Sequence, residues 1–219
     1  MNMNFERARF NMVEQQVRPW DVLDGRILEQ MESIQREDFV PVRYRKLAFA
    51  DLSIPLPHGE IMMRPKVEGR MLQALALGED DTALEIGTGS GYITACLAGL
   101  CKHVVSVEYH EDLQAEAAVR LAEKGIKNVE LFHGDVMSGW QPEQAHDVVV
   151  VTGSVPVVPE SFRGWVNPGV RLFAVTGESP AMEAKLFTRV GFSDWREESL
   201  FETDLPRLVN AEPPPAFEF

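Results

Sequence analysis

The stretch Ala83-Leu84-Glu85-Ile86-Gly87-Thr88-Gly89-Ser90-Gly91-Tyr92 constrains the fold more than any other ten residues of this chain. An apolar run closes on an acidic residue, and three glycines then fall at every second position. The pattern predicts a buried parallel strand that turns sharply into a helix and leaves bare backbone beside a ligand. Glycine accepts positive φ there, and it carries no Cβ to hold the ligand away. The spacing G-x-G-x-G differs from the G-x-G-x-x-G of dinucleotide sites, and no Lys-Ser or Lys-Thr follows as in a phosphate-cradling loop.

Strand and helix patterns alternate from Thr82 onward. Ala83 to Ile86, His103 to Glu108, Val129 to His133, Asp147 to Thr152 and Val170 to Thr176 read as strands. The uninterrupted valines of Asp147 to Thr152 suit a strand buried on both faces. Tyr92 to about Leu100 and Asp112 to Lys124 read as the intervening helices, and Asn167-Pro168-Gly169 reads as a turn. Leu186 to Val190 and Asp194 to Phe201 supply the last strands, as an antiparallel pair. This alternation predicts an α/β fold with a doubly wound, mostly parallel sheet.

Residues 1–78 have a different character and form an N-terminal helical extension with a following loop. Phe5 to Val17 is one helical stretch, which Pro19 interrupts. Asp24 caps a second helix carrying Ile27, Leu28, Met31 and Ile34, and a short helix fits Val42 to Phe49. Asp51 to Pro65 holds four prolines and a glycine and reads as loop or edge structure. Lys66 to Leu77 is helical, with Val67, Met71, Leu72 and Leu75 inward and Gly78 as its stop. Residues 79–210 form the ligand-binding α/β domain. Residues 211–219 form a proline-rich tail, whose two phenylalanines either dock on the body or fray.

The chain has 219 residues, 45% of them hydrophobic, enough for one substantial core with a small appendage. No apolar run is long enough to cross a bilayer, and Met1 to Arg18 lacks the apolar centre of a secretory signal, so the expected compartment is the cytoplasm. The net charge of −13 argues against a nucleic-acid partner. Arg36, Arg43, Arg45 and Lys46 form a local basic cluster, diluted by Glu37 and Asp38 and read as a solvated helix face. Cys96 and Cys101 read as small buried apolar residues, with no disulfide and no metal site.

Ligands of open α/β sheets bind beyond the carboxyl ends of the strands, and three strand ends carry suitable groups. Gly87, Thr88, Gly89 and Gly91 would pass beneath the ligand. Glu108 can accept both hydroxyls of a ribose. In His133-Gly134-Asp135-Val136, Asp135 can accept from an adenine amino group while Val136 packs on the ring. Glu85 can hold loop amides or reach the ligand through water. Trp140 and Trp165 read as packing residues, with Trp140 near the adenine side.

The run Glu85 to Gly91 resembles motif I of the S-adenosylmethionine-dependent methyltransferases. Met12-Val13-Glu14-Gln15-Gln16-Val17-Arg18, Arg36-Glu37-Asp38-Phe39-Val40-Pro41 and Ala48-Phe49-Ala50-Asp51 resemble successive signatures of the protein-L-isoaspartate O-methyltransferase family. The likeness continues through Leu84 to Tyr92, Gly134-Asp135 and Asn167-Pro168-Gly169, to about residue 176. It implies a Rossmann-like methyltransferase fold, S-adenosylmethionine as cofactor, and the carboxylate of isoaspartyl residues in damaged proteins as acceptor.

The family's G-Q-T-I-S-x-P segment, whose serine lies near the transferred methyl, appears here as Gly59-Glu60-Ile61-Met62-Met63-Arg64-Pro65. Met63 stands in the place of the serine. The resemblance therefore sets Met62, Met63, Pro65 and Thr152 against the acceptor. Glu60 adds a negative charge there that Arg64 can neutralise, and Arg64 can also clamp a carboxylate. His58, beside Gly59, is a catalytic candidate or a loop histidine bonded to backbone. Three functions remain open: an isoaspartyl methyltransferase, a methyltransferase with another acceptor such as a small apolar molecule, and a non-catalytic cofactor-binding module. The sequence leaves the oligomeric state open.

Overall fold

The computed structural model describes residues 4–191 and 194–211; most of the proline-rich tail, with its two phenylalanines, lies outside them. Among the described residues no helix is long and apolar enough to cross a membrane.

The sheet has seven strands: β3 (Thr82–Ile86), β4 (His103–Glu108), β5 (Val129–His133), β6 (His146–Val155), β7 (Val166–Glu178), β8 (Ala181–Arg189) and β9 (Trp195–Thr203). Their order is β5-β4-β3-β6-β7-β8-β9. The first five pair in parallel, and β7, β8 and β9 pair antiparallel. The chain runs outward from β3 to β5 and then crosses back to β6 on the other side of β3. That reversal opens a crevice at the carboxyl ends of β3, β4 and β6.

Alternate residues of each strand enter two separate cores. Ala83, Val104, Val148, Val150, Phe173 and Val175 face the N-terminal helices, whereas Leu84, Val105, Val149, Val151, Leu172 and Ala174 face the opposite layer. All four valines 148–151 are fully buried, as the unbroken run implied.

The helices on the strand connections are α4 (Tyr92–Ala98), α5 (Glu111–Glu123) and the short α6 (Glu160–Gly164). The N-terminal layer holds α1 (Phe5–Met12), α2 (Gly25–Ser33) and α3 (Pro65–Leu75), and a two-stranded hairpin of β1 (Ile54–Pro55) and β2 (Ile61–Met62) precedes α3. Asp24 caps α2 by accepting from the Arg26 amide at 2.9 Å.

Four local readings change. Phe5 to Val17 is not one α-helix: after Met12 it widens into a π-turn, Val13–Val17, and then a 3-10 turn, Arg18–Trp20. The wider turn brings Met12, Val13 and Val17 to a buried side together. Helix α3 stops at Leu75, with Ala76 left-handed (φ 44°), before it reaches Gly78. Asn167-Pro168-Gly169 lies within β7, as an irregularity where the register passes from His146↔Val166 to Val148↔Arg171. Finally, Arg36 is not on a solvated face but fully buried.

Gly69 sets how closely α3 approaches the N-terminal segment, since a Cβ there would lie 2.6 Å from Val17 Cγ1 and 3.3 Å from Met31 Sδ. Gly69→Ala gains about 1 kcal/mol of helix propensity against about 1–3 kcal/mol of overpacking around a stiff β-branched side chain. The variant is expected to melt at a lower temperature, and Val17→Ala in the same chain should recover part of the loss by calorimetry.

Candidate functional site

A cleft of about 830 Å³, open to solvent, lies at the reversal point. Ile86 to Ser90 form its floor, Val107 to His110 and Gly134 to Val136 one side, Thr152 and Gly153 another. The β1–β2 hairpin, through Leu56 and Glu60 to Met63, forms the opposite wall.

The glycine loop turns as its spacing implied. Gly87 has φ 98°, and a Cβ there would lie 2.4 Å from Thr152 Oγ1. The Thr152 hydroxyl donates its one proton to the carbonyls of Ile86 and Gly87, at 2.9 and 2.6 Å, so it faces the cleft as an acceptor. Gly91 does not line the cleft; it packs against Ala117 of α5, which a Cβ would approach to 3.1 Å.

Glu108 closes β4, and its oxygens accept from the amides of Gly89 (2.8 Å) and His110 (3.0 Å). Each oxygen keeps a lone pair for another donor. Asp135 accepts from the Met137 amide at 2.8 Å and from Asn210 Nδ2 at 2.6 Å. Trp140 sits under Gly134, where a Cβ would project to 2.4 Å from its Cδ1, and it packs edge-on to Trp165.

Glu85 lies beneath the loop rather than on the cleft. Its Oε2 accepts from Thr94 at 2.5 Å and from Ser106 at 2.6 Å, and Oε1 has no partner. Ser106 has one proton, given to Glu85, so Thr88 must be the donor in the 2.6 Å Thr88–Ser106 contact. A hydroxyl relay therefore ties the loop to β3, β4 and α4. Burial pushes the Glu85 carboxyl up to about 8, against the two hydroxyl donors.

The hairpin wall is built on an ion pair. Arg36 Nη1 donates to Glu68 Oε1 at 3.0 Å, Nη2 to the Met63 carbonyl at 2.8 Å, and Nε to the Ala48 carbonyl at 2.9 Å. The guanidinium lies 4.8 Å above the Tyr92 ring. Glu68 Oε2, on a cleft-lining residue, is buried without a partner, and Tyr92 Oη, on another, is buried beside the Cys96 thiol. Burial raises Glu68 to about 7, opposed by Arg36.

Met62 and Met63 reach the cleft, each only 4% exposed. Pro65 is buried at the start of α3, outside the lining. Arg64 points elsewhere, into a separate surface depression with Trp20, Lys66 and Asp204, so it does not neutralise Glu60. Glu60 instead lies 3.7 Å from His110 Nε2, and its carboxyl is raised by burial and then by the charge of Glu108. His58 is bonded not to loop backbone but to Asp112, 2.9 Å from both carboxylate oxygens, and it stacks on His110 with centroids 4.1 Å apart.

Sequence reasoning missed His110, Glu68 and the strap that follows β9. Leu208 and Val209 line the cleft. The strap is anchored by the Leu208 amide donating to the Ser154 carbonyl, and by the Ser154 amide donating to the Pro206 carbonyl, both at 2.9 Å. It has no regular repeat for periodicity to detect. His110 lies two residues after Glu108, and its closeness to that strand-end carboxylate was its signal.

Two predictions follow from these contacts. Arg36→Met leaves a buried carboxylate without its counter-charge and should cost about 3–5 kcal/mol in denaturant unfolding. Arg36→Met with Glu68→Met should recover most of it. For Glu85, the carboxyl is protonated in both states below its ordinary 4.5; between there and about 8 only the folded state keeps the proton. Unfolding then releases that proton, so stability falls as pH rises. Glu85→Gln should flatten the decline between pH 5 and 7 by up to about 1.4 kcal/mol per pH unit, read from unfolding curves.

Residues 8–196 match the family described as Protein-L-isoaspartate(D-aspartate) O-methyltransferase (PCMT). A Protein-L-isoaspartate O-methyltransferase of Rhodopseudomonas palustris is 36% identical over 202 residues, covering 92% of this chain and 93% of that protein. The Protein-L-isoaspartate O-methyltransferase 2 of Pelobacter propionicus is 36% identical over 210 residues, covering 95% and 93%. Among solved structures, a provisionally named protein-L-isoaspartate O-methyltransferase of Plasmodium falciparum, in complex with S-adenosyl-L-homocysteine, superposes with a TM-score of 0.79 at 17% identity. It covers 91% of this chain and 97% of that one. A structure named protein-L-isoaspartate O-methyltransferase gives 0.76 at 24% identity, over 92% and 65%. The structural likeness speaks to the fold, and the sequence match assigns the lineage: this chain belongs to the protein-L-isoaspartate O-methyltransferase family.

Proposed function

We propose that this protein transfers a methyl group from S-adenosylmethionine to the carboxylate of isoaspartyl residues in damaged proteins. The observation that carries the reading is the pairing of the bare loop at Gly87 and Gly89 with Glu108, in a chain of this family. The cleft suits the cofactor. Glu108 has a lone pair on each oxygen for the ribose hydroxyls, and the buried, unpartnered Glu68 Oε2 calls for a polar partner.

In this reading S-adenosylmethionine supplies an electrophilic methyl on a sulfonium. Gly87, Thr88 and Gly89 cradle it from below, Gly91 sets the turn, and Glu85 stiffens the loop through Ser106 and Thr88. Asp135, steadied by Asn210, and Val136 take the adenine. Met62, Met63 and Ile61 exclude water from the acceptor side, Pro65 fixes the start of the helix behind them, and Thr152 offers a lone pair. A carboxylate acceptor is already ionised near neutral pH, so alignment and dryness do most of the work and no general base is required. His58 and Arg64 take no direct part in the transfer. The buried free cysteines Cys96 and Cys101 support a reducing, cytoplasmic setting.

A second reading keeps the cofactor and changes the acceptor. Glu60, Glu68, Glu108 and Asp135 line the cleft, and no lysine or arginine does so among the described residues, which favours a neutral acceptor over an anion. Labelled methyl transfer to an isoaspartyl peptide and to its aspartyl counterpart separates the two, with S-adenosylhomocysteine binding followed by calorimetry. Turnover confined to the isoaspartyl peptide is the expected result. Binding without turnover moves the search to another acceptor, and no binding leaves a non-catalytic module.

A further inference from the structure

An anionic acceptor entering a cleft lined by four carboxylates needs a hydrogen-bond donor that is not already engaged. The Thr88 proton goes to Ser106, that of Thr152 to backbone carbonyls, and the Arg36 donors to Ala48, Glu68 and Met63. The Tyr92 hydroxyl is engaged with the Cys96 thiol and lies in the field of Glu68, whose charge opposes an incoming anion there. His110 is the one basic side chain among the described residues of the lining. Its Nε2 is buried and makes no hydrogen bond, because Glu60 Oε1, at 3.7 Å, is beyond hydrogen-bonding reach.

The ring is held for a task. His58 stacks on it at 4.1 Å and an interplanar angle of 5°, and Asp112 fixes His58 from the far side. The His110 amide donates to Glu108, so its backbone is tied to the carboxylate that closes β4. Burial and the charge of Glu108 raise the Glu60 carboxyl, and the neighbouring His110 and His58 oppose that rise.

We infer that His110 Nε2 is the donor that receives the acceptor carboxylate, at the mouth between β4 and the β1–β2 hairpin. No bond is made or broken at His110: it offers an N–H, and the acceptor keeps its second oxygen for the methyl. The inference rests on the isoaspartyl reading above and adds the group that holds the substrate. His58 and Asp112 act only by fixing the ring.

The test compares wild type, His110→Phe, which keeps the stack without a donor, and His110→Gln, which restores an N–H. Each is assayed for kcat and KM with an isoaspartyl peptide, for S-adenosylhomocysteine Kd by calorimetry, and for Tm. Loss of a hydrogen bond to a charged group should raise KM about tenfold in His110→Phe, with kcat and Kd changed less than about twofold. His110→Gln should recover part of the loss. An unchanged KM in a folded His110→Phe overturns the inference while wild-type turnover keeps the isoaspartyl reading. A weakened Kd with unchanged KM assigns His110 to the cofactor and also overturns it. A wild type that binds S-adenosylhomocysteine but does not methylate the peptide removes both.

Discussion

The wall of the cleft depends on the buried pair of Arg36 and Glu68. One guanidinium reaches the carbonyl of Ala48, the carbonyl of Met63 and a carboxylate on α3, and it covers the ring of Tyr92 at the start of α4. Desolvating the two charges is expensive, and their attraction alone does not guarantee a net gain. What the pair secures is geometry: Met63 cannot shift without breaking a hydrogen bond to a charge. The planar fork of arginine can address three segments at once, which an ammonium on a flexible stem would not do.

The same economy of contacts fixes the floor. Thr88, Ser106, Glu85 and Thr94 form one relay across the loop, β4, β3 and α4. On the far side, β6 departs from its register with β7 between Val150 and Ser154. Such irregularities re-aim side chains next to sites. Here the departure carries Thr152 and Gly153 into the cleft and frees Ser154 to pair with the strap. The carboxylate that orders the glycine loop is thus placed by the sheet itself.

How much of this was legible depends on whether the signal was local. Strands β4 and β5 were placed residue for residue, because apolar runs bounded by polar ends fix both their type and their limits. Glu108 and Asp135 were readable as strand-end groups for the same reason. Arg36 was not, since a basic residue in a charged run looks solvated until its partner 32 positions away is known. Asn167-Pro168-Gly169 has the composition of a turn, and only pairing with β6 reveals it as an irregularity inside a strand. The strap from Leu205 to Ala211 and the stacked His58 and His110 come together solely through tertiary contacts.

Met63, where a hydroxyl is expected, looks like a loss until the charge change of the reaction is considered. Methyl transfer from a sulfonium to a carboxylate cancels one positive and one negative charge. A wall of thioethers and Ile61 solvates neither charge, so it favours the step towards neutral products once both reactants are held. Holding the anion is the harder part: at about 6 Å, a like charge costs about 3 kcal/mol at an effective dielectric of 20. The acidic lining that suits a cationic cofactor therefore works against a carboxylate acceptor everywhere except beside His110. On the proposed reading, selectivity between the two partners follows from the position of a single imidazole, and the apolar wall contributes to rate rather than to recognition.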